Sequence, residues 1–497
     1  RKDGKLLYRI VNKLFKRVLK VLLISPPAQS IVKQVIGTAA PPLGLAYLAS
    51  IARDLGCDVR IIDSLAEDLT LREVKARIMK FYPDLVGVTA TTSMIYDAYD
   101  VATVAKEVNP NATVVIGGPH ATFMASEILQ ECRHIDVVVR GEGELTFREL
   151  LMRLMREDRD FRDVLGITYR VDDKVRENPP RPLIRNLDDL PLPAYDLLPM
   201  DKYRVGKLKF GAIITSRGCP YTCVFCSSSL QFGKKWRAHG AERVLEELRI
   251  LRYEYDRQEI EFMDDTFTLN KKRALAIAEK IIEEGLDISW SASSRVNTFS
   301  REVGSALNKA GTHTIYFGIE SGSDRTLQFI DKRITKEQAM DATKAAKEAG
   351  LRALGSFVIG FPYETEDDIR ATIRFSNKVG VDLAQFTIAT PYPGTKLWDL
   401  AIKENLLLTR NWRKFTTVDV VMKNLYLTPE KIKKLFLWAY LNFYLNPKHA
   451  LEDLIRNKGF ILRRAVPAAF RFLKNSLLSL IRGRYVWLKT EESLETY

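Results

Sequence analysis

Three cysteines within eight residues constrain this chain more than any other feature. Cys219, Cys223 and Cys226 stand in the run CPYTCVFC, spaced C-x3-C-x2-C, directly after the strand-like run AIITSRG (212–218). Thiolates are the standard iron–sulfur ligands, and closely spaced cysteines let one loop wrap a cluster. A [4Fe–4S] cube needs four ligands and this loop offers three, so one iron is left for a ligand that is not protein. A structural zinc site wants four protein ligands, and the next candidate, His239, makes no recognised zinc spacing. Disulfide use does not fit five cysteines in 497 residues with no secretory signal.

The length points to two to four domains, and 46% hydrophobic residues supply cores for them. Few cysteines and many charged residues fit a reducing, cytoplasmic setting. The net charge of +14 raises the question of nucleic acid, but the charge is concentrated at the ends. Residues 1–20 carry eight Lys/Arg and one acid, residues 454–490 nine and none, and the body between is close to neutral. No run of about eighteen apolar residues occurs, so no transmembrane helix is expected. The chain starts at Arg1 rather than Met, which points to sequence upstream.

Residues 1–20 read as a basic amphipathic helix, with Arg9, Lys13, Lys16, Arg17 and Lys20 opposite Leu7, Val11, Leu14, Phe15 and Val18. It either packs on the next domain or lies on a membrane surface. Residues 21–150 alternate strands (21–25, 59–63, 85–90, 113–118, 136–140) with helical patterns. This predicts a doubly wound, Rossmann-like parallel sheet, with ligands beyond the strand carboxyl ends. Thr89, Ser93, Gly117, Gly118, His120, Gly141 and Glu142 lie at those ends. Residues 151–205 form a Pro-rich connector with a small hairpin near 166–171. From 206 to 400 the alternation returns (211–216, 259–265, 288–294, 314–321, 352–360, 383–391), as in a partial (β/α)6 barrel with its chemistry at the strand carboxyl ends. Asp264, Asp265, Arg295, Glu320, Ser321 and Gly360 cluster there. Residues 401–497 are helical, aromatic and basic.

The motif C-x3-C-x2-C with an aromatic before the last cysteine resembles the radical S-adenosylmethionine (SAM) superfamily. The resemblance implies that the open iron binds the amino and carboxylate groups of SAM, which one electron cleaves to methionine and a 5′-deoxyadenosyl radical. It places Glu320 and Ser321 of GIESGS near the ribose, the backbone of Val358 to Gly360 at adenine, and Arg333 of IDKRIT on the SAM carboxylate, with Asp264, Asp265 and Arg295 lining the site. The runs SPP, PPLGLAYLAS, GGPHAT and VVRGEGELTFREL resemble the cobalamin-binding domain upstream of many such enzymes. That implies cobalamin as a second cofactor, held near Thr89, Ser93, Gly117, Gly118, His120, Gly141 and Glu142. The D-x-H-x-x-G motif is absent, so no histidine is expected on cobalt, and His120 is read as a cavity-lining or turn residue. A domain that has kept the fold and lost cobalamin is the alternative.

The overall layout is similar to the group containing anaerobic porphyrin-ester cyclases, hopanoid-modifying enzymes and archaeal lipid-ring synthases. It implies a radical SAM enzyme acting on an unactivated carbon of a hydrophobic molecule (lipid, isoprenoid or tetrapyrrole). Methylation is favoured, radical C–C bond formation or oxidative ring closure is the rival, and a non-catalytic cluster or cobalamin binder is the reading of a different class. Ferredoxin or flavodoxin would supply electrons. The tail sets Arg463, Arg464, Arg471, Lys474 and Arg482 apart from Val466, Phe470, Leu473, Leu477 and Leu480. It reads as peripheral contact with the inner face of the membrane, against a structural cap or RNA contact, and no RNA-binding module is recognised. Phe436, Trp438, Tyr440, Phe443 and Tyr444 read as a lid for a flat or greasy substrate.

Overall fold

Two largely parallel sheets build the chain, the first from short apolar runs buried on both faces and the second from strands whose buried residues tend to alternate with less buried ones. The computed structural model describes residues 18–28 and 40–456. The expected N-terminal helix and the basic tail beyond Arg456 therefore lie outside the described residues, apart from the last few positions of the former.

The first sheet contains β1 (Lys20–Ser25), β2 (Asp58–Asp63), β3 (Leu85–Thr89), β4 (Thr113–Gly117), β5 (Val137–Val139), β6 (Ile167–Val171) and β7 (Lys174–Glu177), in the order β2-β1-β3-β4-β5-β6-β7. The first five strands pair in parallel, and β6 and β7 add antiparallel to the edge. Continuous apolar runs such as VLLI and VVI are what a sheet covered by helices on both faces demands. Helices Leu43–Asp54 and Ile95–Val108 supply part of that cover. The order reverses between β1 and β3, which opens a crevice at their carboxyl ends. The hairpin expected inside the connector is real, but its strand β6 pairs with β5, so it extends this sheet. The connector proper begins after it, because strand pairing across the intervening helix is not written into local sequence.

In the second half, β8 (Arg204–Val205) and β9 (Leu208–Ile213) form an edge hairpin, and β10 (Ser216–Arg217) pairs antiparallel with β11 (Arg237–Ala238). The barrel sheet continues with β12 (Glu259–Phe262), β13 (Ser289–Ser294), β14 (Thr312–Glu320), β15 (Arg352–Ile359) and β16 (Leu383–Ile388). Six strands, β9 and β12 to β16, run parallel in sequence order with helices between them. Trp290, Phe262 and Phe267 meet in the core beneath them, with Phe262 and Trp290 ring centres 4.3 Å apart.

The helix Pro429–Tyr444, which follows the barrel, closes the open edge at β16. Tyr440 Oη donates to the Phe386 carbonyl (3.0 Å) and accepts from its N–H (3.2 Å), and Tyr444 does the same at Ala384 (2.9 and 3.3 Å). Residues four apart on a helix lie one above the other, while alternate strand residues face one way, so two hydroxyls replace a missing strand. Phe436 and Phe443 are buried in the core. These aromatics are thus edge cover, which corrects the lid reading. Among the described residues no helix is long and apolar enough to cross a membrane.

Candidate active site

The cysteine loop leaves β10 through Gly218, whose φ of +87° and surroundings exclude a side chain. A β-carbon there would lie 2.6 Å from the Lys235 carbonyl oxygen. The loop is clasped by backbone on three sides. Cys219 N–H donates to Gly233 O (3.2 Å), Val224 N–H to Ile330 O (3.0 Å), and Leu397 N–H to Val224 O (2.9 Å). All three thiols are free, Cys219 and Cys223 half-buried and Cys226 exposed. Partial burial raises the Cys219 thiol above its ordinary value, so iron must displace its proton on binding. Arg295, buried at the end of β13, lies 3.5 Å over the Tyr221 ring, with Nη1 3.7 Å from Cys223 Sγ. A donor set of three free thiols beside a fixed guanidinium fits an anionic iron–sulfur cluster. Among the described residues no three His, Cys, Asp or Glu side chains converge as a single metal ion would require. A cube takes its sulfurs on separate corners and needs no such convergence.

Other residues at the barrel mouth divide by what already occupies them. Asp264 accepts four hydrogen bonds, from Thr215 N–H (2.6 Å) and Oγ1 (2.6 Å) and from Ser216 N–H (3.1 Å) and Oγ (2.7 Å). A carboxylate has about four lone-pair sites, so Asp264 fixes the entry to the cysteine loop and has no acceptor left for a ligand. Asp265 is exposed and accepts from Ser228 Oγ (2.5 Å). Ser321 is fully buried, its hydroxyl shared with Thr372 Oγ1 (2.8 Å) and Ser323 N–H (3.1 Å). Arg333 is exposed and pairs with Asp331 (2.7 Å), which also accepts from Thr222 of the cysteine loop (2.5 Å).

Glu320 sits at a break in the β14–β15 register with φ of +69°, rare for a residue with a side chain. It is buried and receives Lys332 Nζ at 2.7 Å. Gly318 makes the room, because a β-carbon there would lie 2.6 Å from Glu320 Oε1 and 2.8 Å from Lys332 Nζ. Lys332 had no sequence signal beyond its place beside Arg333. Val358 and Ile359 are the buried last residues of β15, and Gly360 follows with φ of +86°. Glu364 accepts from the N–H groups of Gly360 (2.6 Å) and Phe361 (3.0 Å) and from Thr326 Oγ1 (3.1 Å). Burial pushes its carboxyl up to about 7. Glu364 escaped sequence reasoning, although an acid four residues after a strand-end glycine is a legible turn signal.

At the first sheet, Thr89, Ser93, Gly117, Gly118 and Gly141 are half-exposed along the carboxyl edge. A β-carbon on Gly141 would meet nothing nearer than 4.0 Å, and one on Gly117 nothing nearer than 3.8 Å. The edge is therefore clear of side chains at these points, as a bulky flat ligand needs. Gly118 is different: its φ of +106° and the Ala90 carbonyl, 2.7 Å from a β-carbon, require glycine. His120 is buried, 4.9 Å from the Trp412 ring, with Nδ1 3.2 Å from Thr92 Oγ1. Burial pushes it down to about 4 and keeps it neutral. Glu142 is buried, and its carboxylate meets Arg237 (2.9 Å), Arg217 (3.4 Å) and Ile184 N–H (2.8 Å).

A doubly wound sheet with a clear carboxyl edge, joined to a six-stranded half-barrel with three free thiols at its mouth, defines a two-cofactor enzyme class. The B12 binding domain family matches residues 29–151 and the Radical SAM superfamily matches residues 213–376. An uncharacterized methyltransferase of Pyrococcus horikoshii is 58% identical over 92% of this chain and 99% of its own length. The anaerobic magnesium-protoporphyrin IX monomethyl ester cyclase of Rubrivivax gelatinosus is 30% identical over 86% of this chain and 78% of its own. The fold is shared with the radical SAM methyltransferase TsrM of Kitasatospora setae, solved with cobalamin and a [4Fe–4S] cluster, at a TM-score of 0.67 and 17% identity over 84% of this chain and 82% of that one. The chain belongs to the radical SAM superfamily, in the group with a B12-binding domain ahead of the barrel. It is an enzyme whose cofactors are a [4Fe–4S] cluster, SAM and cobalamin.

Proposed function

We propose that the enzyme methylates an unactivated carbon of a hydrophobic molecule, a lipid, isoprenoid or tetrapyrrole. When bound, the cluster supplies the electron that splits SAM, and cobalamin supplies a carrier for the methyl group. The residues do the rest. Cys219, Cys223 and Cys226 hold the cluster, Glu320 with Lys332 and the Gly360 turn shape the SAM pocket, and Arg295 holds positive charge beside Cys223. The observation that carries the reading is that Glu142, at the carboxyl edge of the first sheet, touches Arg217 and Arg237, whose strands flank the cysteine loop. The ligand edge of one sheet thereby meets the cluster loop of the other. Methyl transfer over ring closure is supported by the 58% identical methyltransferase. The cyclase, at 30%, keeps ring closure as the second reading.

Support for a hydrophobic substrate comes from the C-terminal end. Leu445, Leu451, Leu454 and Ile455 are exposed, and the following sequence to residue 490 is basic without acids. Basic residues near an anionic surface contribute about 1 kcal/mol each, so a cytoplasmic enzyme would be held at the inner membrane face beside its substrate. Ferredoxin or flavodoxin would donate electrons. Comparing lipid and tetrapyrrole profiles of a host with and without the gene tests the function. The reading expects a product heavier by one CH2 unit. A product lighter by two hydrogens would favour ring closure, and unchanged profiles would refute the substrate class.

A further inference from the structure

The β10–β11 ribbon places two arginines directly opposite one another, Arg217 against Arg237. Like charges at facing positions repel, and both side chains are buried. The ribbon is therefore stable only with carboxylates brought from elsewhere. They come from the first domain, in the turn GEGE (141–144) that follows β5. Arg217 Nη2 donates to Glu144 Oε1 at 2.6 Å and Nη1 to Glu142 Oε1 at 3.4 Å. Arg237 Nη1 donates to both oxygens of Glu142 at 2.9 Å. Arg237 also ties the ribbon to the Ile184 and Phe232 carbonyls, each at 2.6 Å. Arg217 lies between the rings of Tyr47 and Phe232, 5.6 and 5.9 Å from their centres. Burial pushes the Glu144 carboxyl up, but Arg217 outweighs it and the net direction is down, so Glu144 is held charged.

The location gives this network a role beyond cohesion. Arg217 is two residues before Cys219, and the β11 strand closes the same loop. Glu142 and Glu144 stand where the first sheet presents its ligand edge. We propose that Glu142, Glu144, Arg217 and Arg237 form a positioning latch that sets the separation and orientation of the cluster relative to cobalamin. The four are positioning residues: they act through the ribbon and the GEGE turn.

This rests on the cobalamin reading above, and the test separates the two. The full-length protein is reconstituted anaerobically with cluster and cob(II)alamin, the cluster is reduced, and electron paramagnetic resonance measures the coupling between the two spins. The Glu142→Gln, Glu144→Gln double variant should keep both cofactors at the original stoichiometry while the coupling weakens and broadens. Exchanging the charges of one pair (Glu144→Arg with Arg217→Glu) should bring the coupling back toward the original compared with either single change. An unchanged coupling in the loaded Gln variant would overturn the latch and leave the quartet a cohesive element only. Should that variant fail to fold, Glu144→Asp, which keeps the charge and withdraws it by one methylene, carries the same measurement. The grip is also read without cofactors: amide hydrogen exchange across residues 216–239 should quicken in the Gln variant, and unaltered exchange would count against it. Absence of bound cobalamin in the unaltered protein would refute the cobalamin reading instead.

Discussion

The guanidinium of Arg295 stands 3.7 Å from Cys223 Sγ and is held there by the Tyr221 ring beneath it. Hydrogen bonds and charge at the ligating sulfurs set the potential of an iron–sulfur cluster. Replacing Arg295 with Met removes a positive charge and a donor from a thiolate, which makes the reduced, more negative cluster harder to reach. Spectroelectrochemical titration of the reconstituted protein should show the midpoint lowered by tens of millivolts. Arg295→Lys, which keeps the charge and loses the planar stack, should shift it less.

Glu364 sets a pH dependence. Its folded value of about 7 stands above the ordinary 4.5 because it is buried. Below about pH 4.5 the group is protonated in both states and its contribution is fully present. As pH rises toward 7 the unfolded chain releases the proton while the folded chain resists, and the contribution is lost, by up to roughly 3 kcal/mol. Glu364→Gln cannot ionise. Its stability relative to the unaltered chain, followed by denaturant unfolding without cofactors, should rise between pH 4.5 and 7 and level off above.

His120 gives a prediction of opposite character for the metal and for the fold. It is buried between Thr92 and Trp412, in the seam where the segment after the barrel returns to the first domain. His120→Ala should leave the cob(II)alamin spectrum without any lost nitrogen coupling, while opening a cavity worth about 2 kcal/mol. Loss of a nitrogen splitting in the variant would place His120 on cobalt.

Tyr440 and Tyr444 stand in for a strand beside β16. Tyr440→Phe and Tyr444→Phe should each cost about 1 kcal/mol, read as a lowered melting temperature. The double variant, with two strand positions uncovered, should also aggregate during refolding, since an open edge recruits other chains.

These outcomes trace what local sequence can carry. The parallel strands of both sheets were visible, most within a few residues: those of the first sheet as short apolar runs, because a strand buried on both faces is apolar along most of its length, and those of the barrel through their alternation with helical patterns. The edge strand β8 (Arg204–Val205) was not, because two residues carry no pattern. The cysteine loop was visible because cluster chemistry fixes residue type and spacing together. What local sequence does not carry is the partner. Glu142 read as a ligand at a sheet edge, yet its carboxylate meets Arg217, 75 positions away. Asp264 and Ser321 sit at the mouth of the barrel as expected, but their acceptors and hydroxyl are filled by neighbouring strands and helices. Tyr440 and Tyr444 read as a lid because composition records that a helix is aromatic, not which edge it covers.

The central claim is that the cluster held by Cys219, Cys223 and Cys226 keeps one iron open for SAM. Electron paramagnetic resonance of the reduced, reconstituted protein before and after adding SAM tests it directly, with the three cysteines changed to Ala as control. The account predicts a cluster signal that shifts when SAM is added and is missing from the control. A signal unmoved by SAM, or one that survives loss of the three cysteines, would contradict it.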